Sequence, residues 1–167
     1  MERFSAAVLV RNQYGVLNRV TSMFRRRQFN IASLNVSETE SPEFSRITVQ
    51  FDGEPSVKEQ LINQLYKLPD VVSIKELDIR SIKCETLLIK MENDPANRRD
   101  ILDAADAFGA KTIDYSRSSI VLQLTDIPSR IDEFVMLLSP CNVLEICRSG
   151  VVSLERGDTT LRKAAYL

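Results

Sequence analysis

The stretch Phe4–Phe24, with the sequence FSAAVLVRNQYGVLNRVTSMF, carries a strand, a turn and a helix in immediate succession. Residues 4–10 are almost wholly apolar, which is typical of a central strand, and a polar turn that reaches Gly15 interrupts them. After Gly15 the apolar residues recur at three- and four-residue spacing, which predicts a helix with one buried face. The residues of that face are Val16, Leu17, Val20, Met23 and Phe24.

The next segments complete one folding unit. Two runs of alternating apolar and polar residues flank the turn TESPEF and predict a hairpin, and a second helical pattern and a short strand, VVSIKEL from Val71, follow. The element order is therefore βαββαβ. The apolar residues of these patterns are Ala32, Leu34 and Val36, then Ile47, Val49 and Phe51 in the hairpin, and Val57, Leu61, Leu65 and Leu68 in the helix.

The second half repeats this order. A strand, TLLIKM, precedes a helix that is predicted to start with Asp94 as its cap and Pro95 in its first position, and to stop at Gly109. A further hairpin, a helix and a closing strand, NVLEI, follow. The sequence therefore predicts an α+β protein of two ferredoxin-like βαββαβ units, with domains at 1–79 and 80–167.

Composition excludes several classes of function. The net charge is -1 and no long basic run is present, so a nucleic-acid partner is not expected. No apolar segment approaches the roughly 18 residues of a membrane-spanning helix, and we expect a cytoplasmic protein. Three cysteines, without a C-x-x-C spacing, support neither a disulfide framework nor a zinc site.

The chain contains no histidine, which rules out most catalytic machinery. Ser-His-Asp and Cys-His nucleophile systems, histidine-ligated iron and imidazole-bound zinc all need this residue. We therefore expect no catalytic residue and no metal site in this chain. An enzyme that uses Cys84 or a carboxylate is the remaining catalytic alternative.

Small sheets with helices on one face leave edge strands and a second face for other chains. In the first unit the residues of the second face are semi-polar, so oligomerisation by edge pairing or sheet-to-sheet contact is expected. These residues are Ser33, Asn35, Thr48 and Gln50.

The turn between the first strand and helix is suited to an amino acid. Unpaired N–H groups at a helix N-terminus favour a carboxylate, and Gly15 permits close approach of the ligand. Asn12 offers both a donor and an acceptor, and Asn30, flanked by Phe29 and Ile31, offers a second amide, which a second copy of the chain could supply. From these residues alone, an ordinary turn and helix start remains open.

The sequence resembles the small, regulatory subunits of acetohydroxyacid synthase (acetolactate synthase), whose first unit is an ACT domain. The similarity runs through LVRNQYGVLNRVTSMFRRRQFNIASLNV from Leu9, SRITVQ from Ser45 and QLYKLPDVV from Gln64. It continues in ETLLIK from Glu85, IDY from Ile113 and RSGVVSLERG from Arg148. The second unit and the final motif distinguish this family from isolated ACT domains.

The resemblance implies a non-catalytic subunit that activates a large subunit and mediates feedback inhibition by valine in branched-chain amino-acid biosynthesis. The large subunit carries thiamine diphosphate, FAD and magnesium, and this chain carries no cofactor. The resemblance also implies a homodimer formed through the ACT domains. On this chain, Asn12, Gly15 and Leu17 correspond to the carboxylate end of the effector site, with Asn30 and Ile31 reaching in from the other protomer.

Two residues depart from the family pattern. Many relatives have glycine where this chain has Gln28, and an acidic residue where it has Arg11. A positive φ at Gln28 is expected to cost about 1 to 2 kcal/mol. Arg25–Arg27 are expected to complement the negative end of the helix dipole, with docking on an acidic surface as an alternative. A free-standing ACT-type amino-acid sensor of another enzyme is the alternative function.

Overall fold

The computed structural model describes residues 2–162, apart from the side chain of Val57, whose predicted place on a helix face lies outside the described residues. In chain order the elements are β1 (Glu2–Arg11), α1 (Val16–Arg26), β2 (Ile31–Glu38), β3 (Phe44–Gly53), α2 (Pro55–Leu65), β4 (Val71–Glu76), β5 (Ile82–Glu92), α3 (Arg98–Phe108), β6 (Lys111–Tyr115), β7 (Ser119–Asp126), α4 (Pro128–Leu138), β8 (Val143–Arg148) and β9 (Val152–Leu154).

The elements form two compact units with the same topology. The first unit combines Met1–Ile82 with the tail from Val151 onward, and the second is Lys83–Gly150. Strand order is β2-β3-β1-β4 in the first sheet, and β6-β7-β5-β8 in the second, with antiparallel pairing. The predicted ferredoxin-like fold is confirmed. The tail groups with the first unit, whereas the predicted range 80–167 placed it in the second.

The first core lies between α1, α2 and one face of the sheet. Val16, Val20 and Phe24 are fully or almost fully buried, as their four-residue spacing predicts. Leu17 is 41% exposed, so its predicted place on the buried face is wrong. It follows Val16 by one residue, about 100° around the helix, and therefore lies outside the buried stripe.

The second core is built in the same way, but α3 begins later than predicted. Helix α3 starts at Arg98 with Asn97 as its cap. The Asp94 side chain accepts the N–H of Ala96 at 3.0 Å, and the Asp94 carbonyl accepts the N–H of Arg98 at 2.8 Å. Asp94 thus holds a turn in front of the helix, because a short acidic side chain competes for nearby backbone donors. The predicted stop at Gly109 is confirmed, with φ of 70°.

The tail lies on the sheet face of the first unit that the helices leave free. We call residues Val151–Arg162 the C-terminal strap. The guanidinium of Arg46 donates to the Ser153 carbonyl at 2.5 Å, and the Ser73 hydroxyl donates to the Leu161 carbonyl at 2.6 Å. The strap and this face enclose a cavity of about 470 Å³. The chain's own strap therefore covers part of the face that was expected to be left for other chains.

Candidate functional site

The turn between β1 and α1 depends on the backbone of Gly15. This residue is the N-cap of α1 and has φ of 80° and ψ of -2°, a left-handed conformation that glycine adopts without steric cost. The start of the turn is held by the backbone: the N–H of Arg11 donates to the Asp70 carbonyl at 2.8 Å, and that of Asn12 to the Glu43 carbonyl at 2.7 Å. The turn thus presents the first residues of α1 at the end of the sheet.

The N-terminus of α1 is an electropositive site. Among the described residues no side chain caps this helix, and its first turn has no acidic residue. Its first N–H groups and the positive end of the helix dipole therefore favour an anion such as a carboxylate. Arg19, one turn later, is held by the largely buried Asp70, with Nε and Oδ2 2.7 Å apart.

The side chain of Asn12 is oriented by the protein itself. Its Nδ2 donates to Oε1 of Glu38 at 3.1 Å and to the Pro42 carbonyl at 3.0 Å. A primary amide has two donor hydrogens, and both are used here. In this arrangement Asn12 has its carbonyl oxygen left for a ligand, which suits an ammonium group. Glu38 was missed by the sequence reasoning because no spacing pattern links residues 26 positions apart.

A second group of predicted site residues follows the C-terminus of α1. Gln28 has φ of 58°, the sole positive value among the described non-glycine residues. The N–H of Gln28 donates to the Arg25 carbonyl at 3.1 Å, and the N–H of Phe29 donates to the Phe24 carbonyl at 3.0 Å. This pair of hydrogen bonds is a Schellman motif, which places Gln28 at the position where glycine is preferred. Of the two alternatives for Gln28, a strained conformation or a different turn, the structure has the strained one.

Replacing Gln28 with glycine is therefore expected to stabilise the protein by about 1 kcal/mol. The left-handed conformation costs a side-chain-bearing residue about 1 to 2 kcal/mol, and the greater freedom of unfolded glycine offsets part of the gain. Urea unfolding of the first unit measures this difference. Gln13→Gly, in the turn before α1, is the control and should not stabilise, and equal gains from both substitutions would contradict the role assigned to Gln28.

The structure places the two groups of predicted residues at opposite ends of the first sheet. Arg11, next to Asn12, pairs with Phe44 of β3, whereas Ile31 pairs with Phe51. Seven residue steps along β3, about 24 Å at 3.4 Å per residue, separate those positions. Asn12 and Gly15 lie at one end, and Asn30 and Ile31 at the other. A single copy of the first unit therefore does not bring the predicted residues together.

Residues that suit a metal site are not clustered in the described part of the chain. Within residues 2–162 no group of three His, Cys, Asp or Glu side chains is placed to hold a metal ion. Burial, and secondarily the charge of Asp100, raises the pKa of the Cys141 thiol, so this sulfur stays protonated. No helix in the described range has the length and apolar character needed to cross a membrane.

Arg148, Glu85 and Asp132 form a charge network in the second unit. Arg148 donates from Nε and Nη2 to both carboxylate oxygens of Glu85, at 2.9 and 2.6 Å, and from Nη1 to Asp132 at 2.7 Å. The Glu85 side chain is only 5% exposed. Hydrogen bonding to Glu85 raises the pKa of Arg148 above its ordinary value. This bidentate pair ties the end of β8 to β5.

Comparisons with known proteins match both units. Residues 7–73 match the family described as the AHAS small subunit-like ACT domain, and residues 84–157 match the small subunit of acetolactate synthase. The chain is 41% identical to the acetolactate synthase small subunit of Mycolicibacterium smegmatis, over 90% of this chain and 89% of the relative. It is 39% identical to that of Bacillus subtilis, over 99% and 95%.

A solved structure leads to the same family. The crystal structure of the acetolactate synthase small subunit from Thermotoga maritima aligns with a TM-score of 0.86 and 33% identity, covering 95% of this chain and all of that one. Sequence and structure agree along nearly the whole chain, and the chain belongs to the family of acetolactate synthase small subunits.

Proposed function

We propose that this regulatory subunit binds valine, or another branched-chain amino acid, in a site that two copies of the chain build together. The turn with Asn12 and Gly15 comes from one copy, and Asn30 and Ile31 come from the other. The observation that supports this arrangement is the contact of Asn12 with Glu38, the last residue of β2.

The position of β2 explains why a second copy is needed. This strand lies at the edge of the first sheet, so it can pair with the same strand of another copy. Antiparallel pairing about a twofold axis sets the first residue of one β2 against the last residue of the other. Ile31 and Asn30 of the second copy then approach Glu38 of the first, and with it Asn12.

The polar groups of this site suit the two ends of an amino acid. The N-terminus of α1 beside Gly15 receives the carboxylate, and the carbonyl oxygen of Asn12 receives the ammonium group. Leu17, which is exposed, and the half-buried Ile31 offer apolar surface for a small aliphatic side chain. The exposed Asn30 adds a further amide to the site.

The catalytic partner in this proposal is the large subunit, working in the cytoplasm with thiamine diphosphate, FAD and magnesium. It condenses two pyruvates, or pyruvate with 2-oxobutyrate, and this chain adjusts its rate. An effector inhibits only if it binds one arrangement of the dimer more tightly than another. A coupling free energy of about 1 to 3 kcal/mol corresponds to an effect of about 5- to 150-fold.

Mixed dimers test whether the site is shared. We expect Asn30→Ala dimers to bind valine about tenfold more weakly, because hydrogen bonds to a charged ligand are lost. Gly15→Asp dimers should not bind it. After subunit exchange between the two variants, each mixed dimer has one site with both substitutions and one site with neither. Calorimetry should then detect the affinity of the unmodified protein at about a quarter of all sites.

The controls are the two variants taken separately through the same exchange procedure. Neither control should regain sites with the valine affinity of the unmodified protein. A site contained within one copy would leave every site in a mixed dimer with one substitution. Absence of recovery, with exchange verified by mass spectrometry, would therefore contradict the shared site.

A further inference from the structure

The outer surface of the first unit has a groove of about 500 Å³ between α1 and α2. We call it the basic groove, since its described lining includes Arg19, Arg26, Arg27 and Lys67 and no acidic residue. Met23 and Leu68, which also pack against the core, supply apolar surface within it. Such a concentration of positive charge contrasts with the net charge of -1 of the whole chain.

Most of this charge is available to a partner. Arg19 is bound to Asp70. Arg26, Arg27 and Lys67 are exposed, and within residues 2–162 they form no ion pair. Three unpaired cations around one groove repel one another, and an anionic partner relieves that repulsion.

The helix dipole explains only some of the positive residues that line the basic groove. Arg25 and Arg26 both lie in the last turn of α1, where either can complement the negative dipole end. Only Arg26 lines the groove, together with Arg27 and with Lys67, which follows the end of α2. Arg25 therefore provides a matched residue for separating the two roles.

The groove runs along α1 from Asn18 to Arg27, about 14 Å at 1.5 Å per residue, beside the end of α2, and this length favours an extended partner over a compact anion. Helix C-termini present carbonyl groups, whereas phosphate sites rely on backbone N–H donors and a positive dipole end. Long cationic side chains spread around apolar surface suit carboxylates on a peptide segment that also has an apolar residue. We propose that the basic groove docks an acidic segment of the large subunit. This inference rests on the partnership in the proposed function.

Docking here would connect the partner to the effector site through one element. Gly15 begins α1 and Arg26 is its last residue, about 16 Å away at 1.5 Å per residue. An effector held at the first turn and a partner held along the side of α1, from Asn18 onward, both act on the position of the same helix. A small shift of α1 would therefore change both binding free energies, as linkage requires.

Charge reversal tests the groove. The double variant Arg26→Glu, Lys67→Glu should bind the holo large subunit about 100-fold more weakly, and with a weaker dependence on salt. Arg25→Glu is the control and should change the affinity less than threefold. Arg26→Gln with Lys67→Gln, which neutralises without reversing, should give an intermediate loss. Association is measured by calorimetry on the full chain, and circular dichroism verifies the fold of each variant.

Three results would overturn the inference. The first is undiminished association of the double variant, and the second is a loss from Arg25→Glu as large as from Arg26→Glu alone. The third is a shift in melting temperature with millimolar inorganic phosphate that the double variant lacks, which would assign the groove to a small anion. Valine binding by the isolated double variant should be unchanged. Failure of the unmodified chain to bind valine would instead contradict the proposed function and leave the groove result intact.

Discussion

We expect the substitution Gly15→Asp to abolish the response to valine while the variant still activates the large subunit. The added carboxylate lies at the N-terminus of α1, where it competes for the N–H groups that receive the carboxylate of the ligand. Two like charges about 4 Å apart repel by about 4 kcal/mol near a protein surface. The concentration of valine for half inhibition should therefore rise at least about 100-fold in the reconstituted enzyme.

Backbone strain at this position needs a control, because Gly15 has a positive φ. Gly109 has φ of 70°, close to the 80° of Gly15, and a Cβ atom there meets nothing within 4 Å. A Cβ atom on Gly15 meets only Nη1 of Arg19, at 3.7 Å. Gly109→Asp thus imposes similar strain in the other unit. It should keep full sensitivity to valine, and a Gly15→Asp enzyme that stayed sensitive would show the site to be wrong.

A large loss of stability is expected when Arg148 is replaced. We expect Arg148→Met to destabilise the second unit by about 3 to 5 kcal/mol, because it leaves the buried carboxylate of Glu85 without its partner. A unit of this size has little more stability than that to lose. Urea unfolding, with amide hydrogen exchange in β5 to locate the change, measures the effect.

Asp132 provides the matched control for this prediction. It binds the same guanidinium, but its side chain is 64% exposed. Because exposed ion pairs contribute little, Asp132→Asn should cost less than about 1 kcal/mol. Equal losses of unfolding free energy from Asp132→Asn and Arg148→Met would indicate that burial of Glu85 does not determine how much this network stabilises the second unit.

The fold could be predicted from the sequence because the periodic patterns of apolar residues and the residues typical of helix ends indicate the same elements. The spacing of Val16, Val20 and Phe24 identifies one helix face, and Gly15 and Gly109 mark two helix ends by their backbone freedom. The predicted start of α3 was wrong because Asp94 can either cap a helix or hold a turn. The contacts of its side chain decide between these two roles.

The candidate site was predictable only in part. Residue types identified Asn12 and Gly15 as suited to a zwitterion, and the family resemblance added Asn30 and Ile31. Their separation along the sheet follows from strand register, and the hydrogen bond from Asn12 to Glu38 joins distant parts of the chain. No local pattern encodes either fact. The Arg148 and Glu85 pair, 63 residues apart, is another example.

The C-terminal strap also affects the order in which the chain matures on the ribosome. Residues 83–150 form a continuous unit, which can fold as soon as it has been synthesised. The free face of the first unit is covered only later, because the residues that cover Ala7 and Leu9 are translated after the whole second unit. A nascent chain that stalls before residue 151 therefore displays an uncovered sheet face, which chaperones and proteases can recognise as unfinished.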